Sequence, residues 1–189
     1  MSKTDLRVIK TKLAIRDAFL RLIGTRDLSS ITVQNILDEA LINRKTFYKY
    51  YRDKYDLAET IAEGYLSRFD TLLSEQLEAN GDSLIAFIGG MYEEMYRNDD
   101  KVRAIWSIRT NRISVIDEMD RMLRRIYQSS ADRYGAKGDI EVQSGMFSVF
   151  FLRFYEYIMD EKRPCDVEMI LSEYRNLYDI LAASERSGI

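Results

Sequence analysis

The stretch that decides the fold is ITVQNILDEALINRKTFYKYYRDKYDL, residues 31–57. Thr32, Asn43 and Asp53 each carry a side-chain oxygen that can accept hydrogen bonds from the free backbone N–H groups at the start of a helix. They predict one helix through residues 35–40, a second from 43 to about 51, and the start of a third. Only residues 41 and 42 separate the first two helices, so the connection indicates a sharp crossing of the helix-turn-helix kind.

Apolar and polar residues fall on different sides of these predicted helices. The apolar set is placed to form a small core between the first two helices: Val33, Ile36, Leu37, Ala40, Ile42 and Phe47. Tyr51 shares the apolar side with Phe47, and we expect both inside. The second helix keeps an outward face of cations, a hydroxyl and a phenol: Arg44, Lys45, Thr46, Tyr48 and Lys49. Such a face favours contact with DNA, because cations bind phosphates and guanine edges.

The charge distribution points the same way. The net charge is −3, but residues 1–54 hold twelve Lys and Arg against six Asp and Glu, a balance of +6, so the rest of the chain carries −9. A basic amino-terminal part concentrates the attraction for phosphate at one end of the molecule. A charged run is often only a solvated surface, and this alternative stays open for the cations of the first predicted helix, residues 7–25.

The same stretch resembles the amino-terminal DNA-binding domain of the TetR family of bacterial transcriptional regulators. The pattern T-V-x-x-I … A-x-I-N-x-x-T-F-Y-x-Y-Y-x-D-K-x-D-L carries the resemblance: Thr32, Ile36, Ala40, Ile42, Asn43, Thr46, Phe47, Tyr48, Tyr50, Tyr51, Asp53, Lys54 and Leu57 fall on it. This sequence pattern is similar to that of a Firmicutes branch of the family. Many members have glycine where this chain has Leu41. A left-handed leucine costs about 1 kcal/mol, so we expect a local difference in the turn.

The resemblance implies a division into a DNA-binding domain, residues 1–54, and a helical effector-binding and dimerisation domain, residues 55–189. It implies that the second helix lies in the major groove of a double-stranded operator. The DNA contacts it implies, to base edges and to the phosphate backbone, are Thr32, Gln34, Arg44, Lys45, Thr46, Tyr48, Lys49, Tyr50 and Lys54. It also implies a homodimer, an unknown small-molecule effector and, as the commoner mode, repression.

Composition predicts an all-α protein. Hydrophobic residues make up 46% of the chain, there is one proline, and Leu, Ile, Arg, Glu and Ala dominate long stretches. No long apolar run indicates a membrane span or a signal peptide, so we expect a cytoplasmic protein without a membrane partner. A single cysteine, Cys165, and the lack of histidine exclude an internal disulfide and most metal sites. We expect no cofactor.

Apolar periodicity predicts further helices after residue 53. One long helix of about 26 residues ends near Asn80 and Gly81, and others follow over residues 82–98, 100–109, 114–134, 139–159 and 167–183. The long helix either transmits motion or is a structural strut. Gly89 and Gly90 indicate a kink beside a cavity or a tight helix crossing.

The helix over residues 139–159 is apolar on more than one face, which predicts a second covering surface. We expect a twin subunit to supply it, with a four-helix bundle formed by the last two helices of each chain and a dimer interface of Val149, Phe150, Phe154 and Tyr157. The proposed effector pocket consists of Phe87, Met91, Met95, Trp106, Phe147 and Phe151. The alternative for both sets is that they fill the core of one subunit. Arg109 and Arg112 suit either an anionic effector or surface ion pairs.

An enzyme is disfavoured. The sequence has no histidine base, no glycine-rich phosphate loop and no nucleophile elbow, and no residue is predicted to be catalytic. The remaining alternative is a protein of the same fold that acts as a co-activator by binding another protein instead of an operator.

Overall fold

The computed structural model describes residues 3–79, 89–92, 99–161 and 167–186. Over these ranges the fold is all-α, as predicted, with a short 3-10 turn at Leu28–Ser30. The helices are α1 (Lys3–Ile23), α2 (Val33–Ala40), α3 (Arg44–Tyr48), α4 (Lys54–Ala79), α5 (Asp99–Trp106), α6 (Val115–Tyr134), α7 (Ile140–Asp160) and α8 (Val167–Arg186). Residues 89–92 are also helical. Phe87, Met95 and most of the predicted helix over residues 82–98 lie outside the described residues.

The helix starts around the turn follow the predicted caps. Thr32 Oγ1 accepts from the backbone N–H of Asn35 at 3.1 Å, and Asn35 Oδ1 accepts from the Thr32 N–H at 2.9 Å. Asn43 Oδ1 accepts from the Thr46 N–H at 2.8 Å. Asp53 Oδ1 accepts from the N–H groups that open α4. Each helix therefore begins where a polar side chain replaces a missing backbone acceptor.

The turn between α2 and α3 corrects one expectation. Leu41 does not avoid the left-handed conformation: it has φ 54° and ψ 44°, and its side chain is 91% exposed. Its backbone N–H bonds the carbonyl of Asp38 at 3.4 Å, and the next N–H, of Ile42, bonds the carbonyl of Leu37 at 3.1 Å. The chain thus keeps the turn that a glycine would make and accepts the steric cost of a β-carbon.

The chain forms two compact units, residues 1–70 with 98–122, and residues 71–97 with 123–189. The first unit buries completely the side chains of Ile15, Phe19, Ile36, Phe47 and Leu57. It contains α1, α2, α3 and α5, the first part of α4 and the start of α6. Lys101 Nζ on α5 lies 3.7 Å from Asp17 Oδ1 on α1. The division into functional domains at residue 54 stays a prediction.

The second unit has an aromatic core. The ring of Tyr92 stacks on Phe151 at 5.0 Å and on Tyr155 at 6.3 Å, and its hydroxyl donates to the carbonyl of Phe151 at 2.8 Å. On α6 and α7, Tyr127 donates to Gln143 Oε1 at 2.9 Å.

Among the described helices, none combines the length and hydropathy that a bilayer crossing requires.

Candidate nucleic-acid interface

One aromatic side chain, that of Phe47, packs beneath helix α3. Phe47 is fully buried, and its ring lies 5.5 Å from Tyr48 and 5.7 Å from the buried Tyr51. Burial raises the pKa of the Tyr51 phenol, with the Asp56 carboxylate as a second cause. Phe47 and Tyr51 are therefore core residues, as predicted, and they fix which side of α3 faces outward.

The outward side of α3 carries Arg44, Lys45, Tyr48 and Lys49, all exposed. Tyr48 is 48% exposed although its ring edge meets Phe47. Thr46 is half-buried, and its hydroxyl donates to the Asn43 cap at 2.9 Å. The five residues predicted on this helix thus divide into four exposed side chains and one that is engaged in the cap.

A short chain of hydrogen bonds connects α2 with Arg44. Arg44 Nη2 donates to Gln34 Oε1 at 3.4 Å, and Gln34 Nε2 donates to Asp38 Oδ1 at 2.8 Å. Gln34 thereby places the guanidinium beside the amino-terminal turn of α2. Thr32, predicted to touch DNA, uses its hydroxyl in the capping box. Asp38 was not singled out from the sequence.

Tyr50 joins the end of α3 to α1. Lys12 Nζ lies 5.5 Å and Lys49 Nζ 5.6 Å from the centre of the Tyr50 ring. An ammonium over an aromatic face contributes about 0.5–1 kcal/mol at an exposed site. Lys12, on the basic face of α1, therefore lies near the carboxyl end of α3. By contrast Arg21 on α1 pairs with Glu39 on α2 at 2.7 Å.

The connection from α3 to α4 is fixed by an ion pair. Asp56 Oδ2 accepts from the Arg52 N–H at 2.9 Å, and Arg52 Nη2 donates to Asp56 Oδ1 at 2.7 Å. Hydrogen bonds from the guanidinium, followed by the one from the backbone, hold the pKa of the Asp56 carboxyl below its usual value. The carboxylate thus stays charged at neutral pH.

Lys54, predicted to contact phosphate, bonds the backbone of the protein itself. Its ammonium donates to three backbone carbonyls, those of Leu28, Ser29 and Ile31. An ammonium has three N–H donors, so these bonds use all of them. Lys54 is half-buried, and its predicted contact with the phosphate backbone of DNA stays a prediction.

The predicted effector residues are distributed over both units. Trp106 belongs to the first unit, and Met91, Phe147 and Phe151 belong to the second. Met91 and Phe151 are buried, and Phe147 lies 5.4 Å from the Tyr127 ring. A pocket of about 310 Å³ in the first unit contains none of the predicted residues; it is lined by Ile23, Thr25, Arg26, Asp27, Leu28 and Ser107.

Arg109 and Arg112 form surface ion pairs. Arg109 Nη2 lies 3.3 Å from Asp117 Oδ2, and Arg112 Nη1 lies 3.2 Å from Glu59 Oε2. Thr110 also donates to Glu59, at 3.1 Å. The ion-pair alternative therefore accounts for both arginines.

The predicted dimer residues separate into two groups. Val149 and Tyr157 are exposed, whereas Phe150 and Phe154 are half-buried and stack on each other at 5.2 Å. The sequence reasoning missed four exposed apolar residues on α7 and α8: Val142, Met146, Leu177 and Ile180. On α7, Val142, Met146 and Val149 are spaced by four and three residues, and Tyr157 lies eight residues after Val149, so all four fall on one stripe of the helix.

Taken together, a short capped helix pair, a left-handed turn and a buried aromatic anchor define a helix-turn-helix protein. Residues 15–61 match the family described as "Bacterial regulatory proteins, tetR family". The matched residues run from α1 into α4 and include the helix pair whose sequence pattern carries the resemblance.

Similar proteins share either part of this sequence or the fold. The uncharacterized HTH-type transcriptional regulator YxbF of Bacillus subtilis is 35% identical over 60 residues, which cover 31% of this chain and only 16% of the relative. The crystal structure of a gamma-butyrolactone receptor (ArpA-like protein) has a TM-score of 0.62 at 21% identity, covering 97% of this chain and 100% of its own.

A transcriptional regulator of the "TerR/AcrR family" from Aquifex aeolicus has a TM-score of 0.63 at 16% identity, covering 90% of this chain and 99% of its own. The TM-scores and coverages of these two structures show a fold shared over nearly the whole chain. Since both are less than 25% identical to this chain, the likeness concerns the fold alone.

Proposed function

We propose that this protein is a homodimeric transcriptional regulator that binds a pseudo-palindromic operator through α3. The observation that carries the proposal is the two-sided character of this helix, with Phe47 fully buried beneath it and Arg44, Lys45, Tyr48 and Lys49 exposed above it. A rigid anchor fixes the direction of the exposed cations and phenol, as sequence readout requires.

Each exposed residue can contact a particular part of the DNA. Arg44 and Lys45, at the amino end of α3, can donate to guanine O6 and N7. Tyr48 and Lys49 suit phosphates, and Tyr50, with Lys12 above its ring, extends this basic surface to α1. The Gln34 bridge restricts the Arg44 side chain before DNA binds, which lowers the entropy cost of the contact.

The test is a fluorescence anisotropy titration of the full chain with fragments of the genome that encodes it, at two salt concentrations. We expect at least one fragment to bind in the nanomolar range and far more tightly than random DNA. If no fragment competes better than random duplex, sequence-specific regulation is wrong. Binding that appears only with a second protein present would support the co-activator alternative.

The dimer is supported by the exposed apolar side chains on α7 and α8. Val142, Met146, Val149 and Tyr157 lie along one stripe of α7, and Leu177 and Ile180 are exposed on α8. Large apolar groups gathered on one exposed face of a helix indicate a protein interface. Two copies joined there would present two α3 helices to successive half-sites.

The proposed effector is a small, largely apolar molecule that releases the operator, which makes the protein a repressor. Met91, Phe147 and Phe151 in the second unit supply adaptable apolar contacts. The ligand acts by preferring the conformation in which the two α3 helices are wrongly spaced. Small molecules that quench Trp106 fluorescence, or raise the melting temperature of the purified protein, are then tested for release of the bound fragment; if none releases it, the effector proposal is wrong.

A further inference from the structure

We infer that Asp38 on α2 is a positioning residue for sequence readout, because it orients the side chain of Gln34 and, through Gln34, the guanidinium of Arg44. This inference deepens the proposed function and rests on it, since it takes Arg44 as the residue that reads guanine. The structural relationship behind it is a line of three polar side chains that leads from the last turn of α2 to the first residue of α3.

The hydrogen bonds along this line have a fixed direction. Arg44 Nη2 donates to Gln34 Oε1 at 3.4 Å, and Gln34 Nε2 donates to Asp38 Oδ1 at 2.8 Å. A guanidinium can only donate and an ionised carboxylate can only accept, so one orientation of the glutamine amide satisfies both neighbours. Asp38 lies four residues after Gln34, on the same face of α2. The carboxylate thus selects the orientation in which the amide oxygen faces Arg44.

Asp38 is unfavourable for α2 itself. It lies in the last turn of Val33–Ala40, where a negative charge opposes the helix dipole and where aspartate is a weak helix former. A carboxylate beside a DNA-binding surface also repels phosphates. The adjacent Glu39 pairs with Arg21 on α1 at 2.7 Å, whereas Asp38 accepts from a neutral amide. A residue that breaks local preferences in this way is expected at a functional position.

The orientation of Gln34 leaves Arg44 able to read a base. Nη2 carries two N–H groups and gives one to Gln34, so the other is left, with those of Nη1 and Nε, for guanine O6 and N7. A bidentate contact requires a defined guanidinium plane, and a side chain restrained in advance loses less entropy on binding. We therefore expect each half-site to contain a guanine that is selected through Arg44, to a degree that depends on Asp38.

Two matched substitutions separate the hydrogen bond from the charge. Asp38→Asn and Asp38→Ala both remove the negative charge, but only asparagine keeps an oxygen that can accept from Gln34 Nε2. Binding to random duplex measures the effect of the charge and should change equally in both variants.

The preference for guanine measures the effect of the hydrogen bond. It is determined at the operator position where Arg44→Ala abolishes the base preference. There, the wild-type protein and Asp38→Asn should prefer guanine to adenine by about tenfold or more. Asp38→Ala should reduce this preference to about threefold or less.

Nuclear magnetic resonance of the free protein tests the positioning without DNA. In Asp38→Ala, we expect the side-chain amide signals of Gln34 to move to the shifts of a solvent-exposed glutamine. The side-chain amide of Gln143 donates to the carbonyl of Lys137 at 2.7 Å and serves as the control, because its signals should stay in place. Thermal unfolding should not fall, since the Asp38 side chain is exposed and alanine is the better helix former.

Three results would overturn the inference: a wild-type preference for guanine in Asp38→Ala, a loss of preference in Asp38→Asn as large as in Asp38→Ala, or unchanged Gln34 amide signals in Asp38→Ala. The second result would make the charge, and not the hydrogen bond, the cause. If the wild-type protein selects no DNA sequence, the proposed function fails, while the amide signals still decide whether Asp38 orients Gln34.

Discussion

The indole N–H of Trp106 donates a hydrogen bond to the hydroxyl of Tyr65 at 2.9 Å, which joins the last residue of α5 to the middle of α4. Burial raises the pKa of Tyr65 to about 12, and the bond from Trp106 partly opposes this rise because it stabilises the phenolate. The neutral phenol is therefore the form that the folded protein holds.

This pair predicts an alkaline loss of stability. The unfolded pKa of tyrosine is about 10, so the contribution of Tyr65 is complete below pH 10 and is lost as the pH rises through 12. In urea unfolding between pH 9 and 11.5, the wild-type protein should lose stability more steeply than Tyr65→Phe, by at most about 1.4 kcal/mol per pH unit. The exposed Tyr55→Phe serves as control, and equal slopes in all three proteins would contradict the assignment.

The two sides of α3 should respond to mutation in opposite ways. Tyr48→Ala and Lys49→Ala remove exposed groups, so we expect weaker DNA binding with almost unchanged thermal unfolding. Phe47→Ala removes a fully buried ring and should cost about 3–5 kcal/mol of folding stability. Arg125→Ala, an exposed cation on α6, is the charge control and should alter neither property. A large drop in melting temperature for Tyr48→Ala would assign that residue to the core.

Leu41 predicts a stabilising substitution. Leu41→Gly removes the β-carbon from a left-handed residue, which saves about 1–2 kcal/mol, while the greater freedom of glycine in the unfolded chain offsets about 0.4–1 kcal/mol. We expect a net gain of up to about 1.6 kcal/mol in chemical denaturation. Leu41→Ala keeps the β-carbon and loses little contact, because the side chain is 91% exposed. Were the glycine variant less stable than the alanine variant, the left-handed turn would be wrong.

The apolar stripe on α7 predicts the oligomeric state. Val149→Glu places a charge in the proposed interface, and we expect sedimentation to show a shift from dimer to monomer with loss of operator binding. Leu41→Asp makes a similar change at an exposed apolar residue of the first unit and should remain dimeric. A dimer that survives Val149→Glu together with Met146→Glu would move the interface elsewhere.

Local sequence determined much of the site. The caps at Thr32, Asn43 and Asp53 act within three residues, so their spacing alone predicted where α2, α3 and α4 begin. Phe47 and Tyr51 followed from the apolar side of the same helix. These features depend on side chains that are close together in the sequence, so they can be predicted from it directly.

The missed features depend on distant or unmarked partners. Lys54 bonds backbone carbonyls, which have no signature in the sequence, whereas its predicted phosphate contact came from the family resemblance and its place at the start of a helix. Helix α7 is apolar on several faces, so periodicity could not separate the half-buried Phe150 and Phe154 from the exposed Val142 and Met146. Leu41 adopts its strained conformation because the helices on both sides are capped and packed. The backbone preference of leucine alone does not predict this conformation.

The most direct test of the central claim is selection of bound duplexes from a random DNA library by the purified full chain. The account predicts strong enrichment of one inverted repeat, with two protomers bound per duplex and half-sites about one helical turn apart. Recovery of unenriched sequences by a protein that is monomeric on DNA would contradict it.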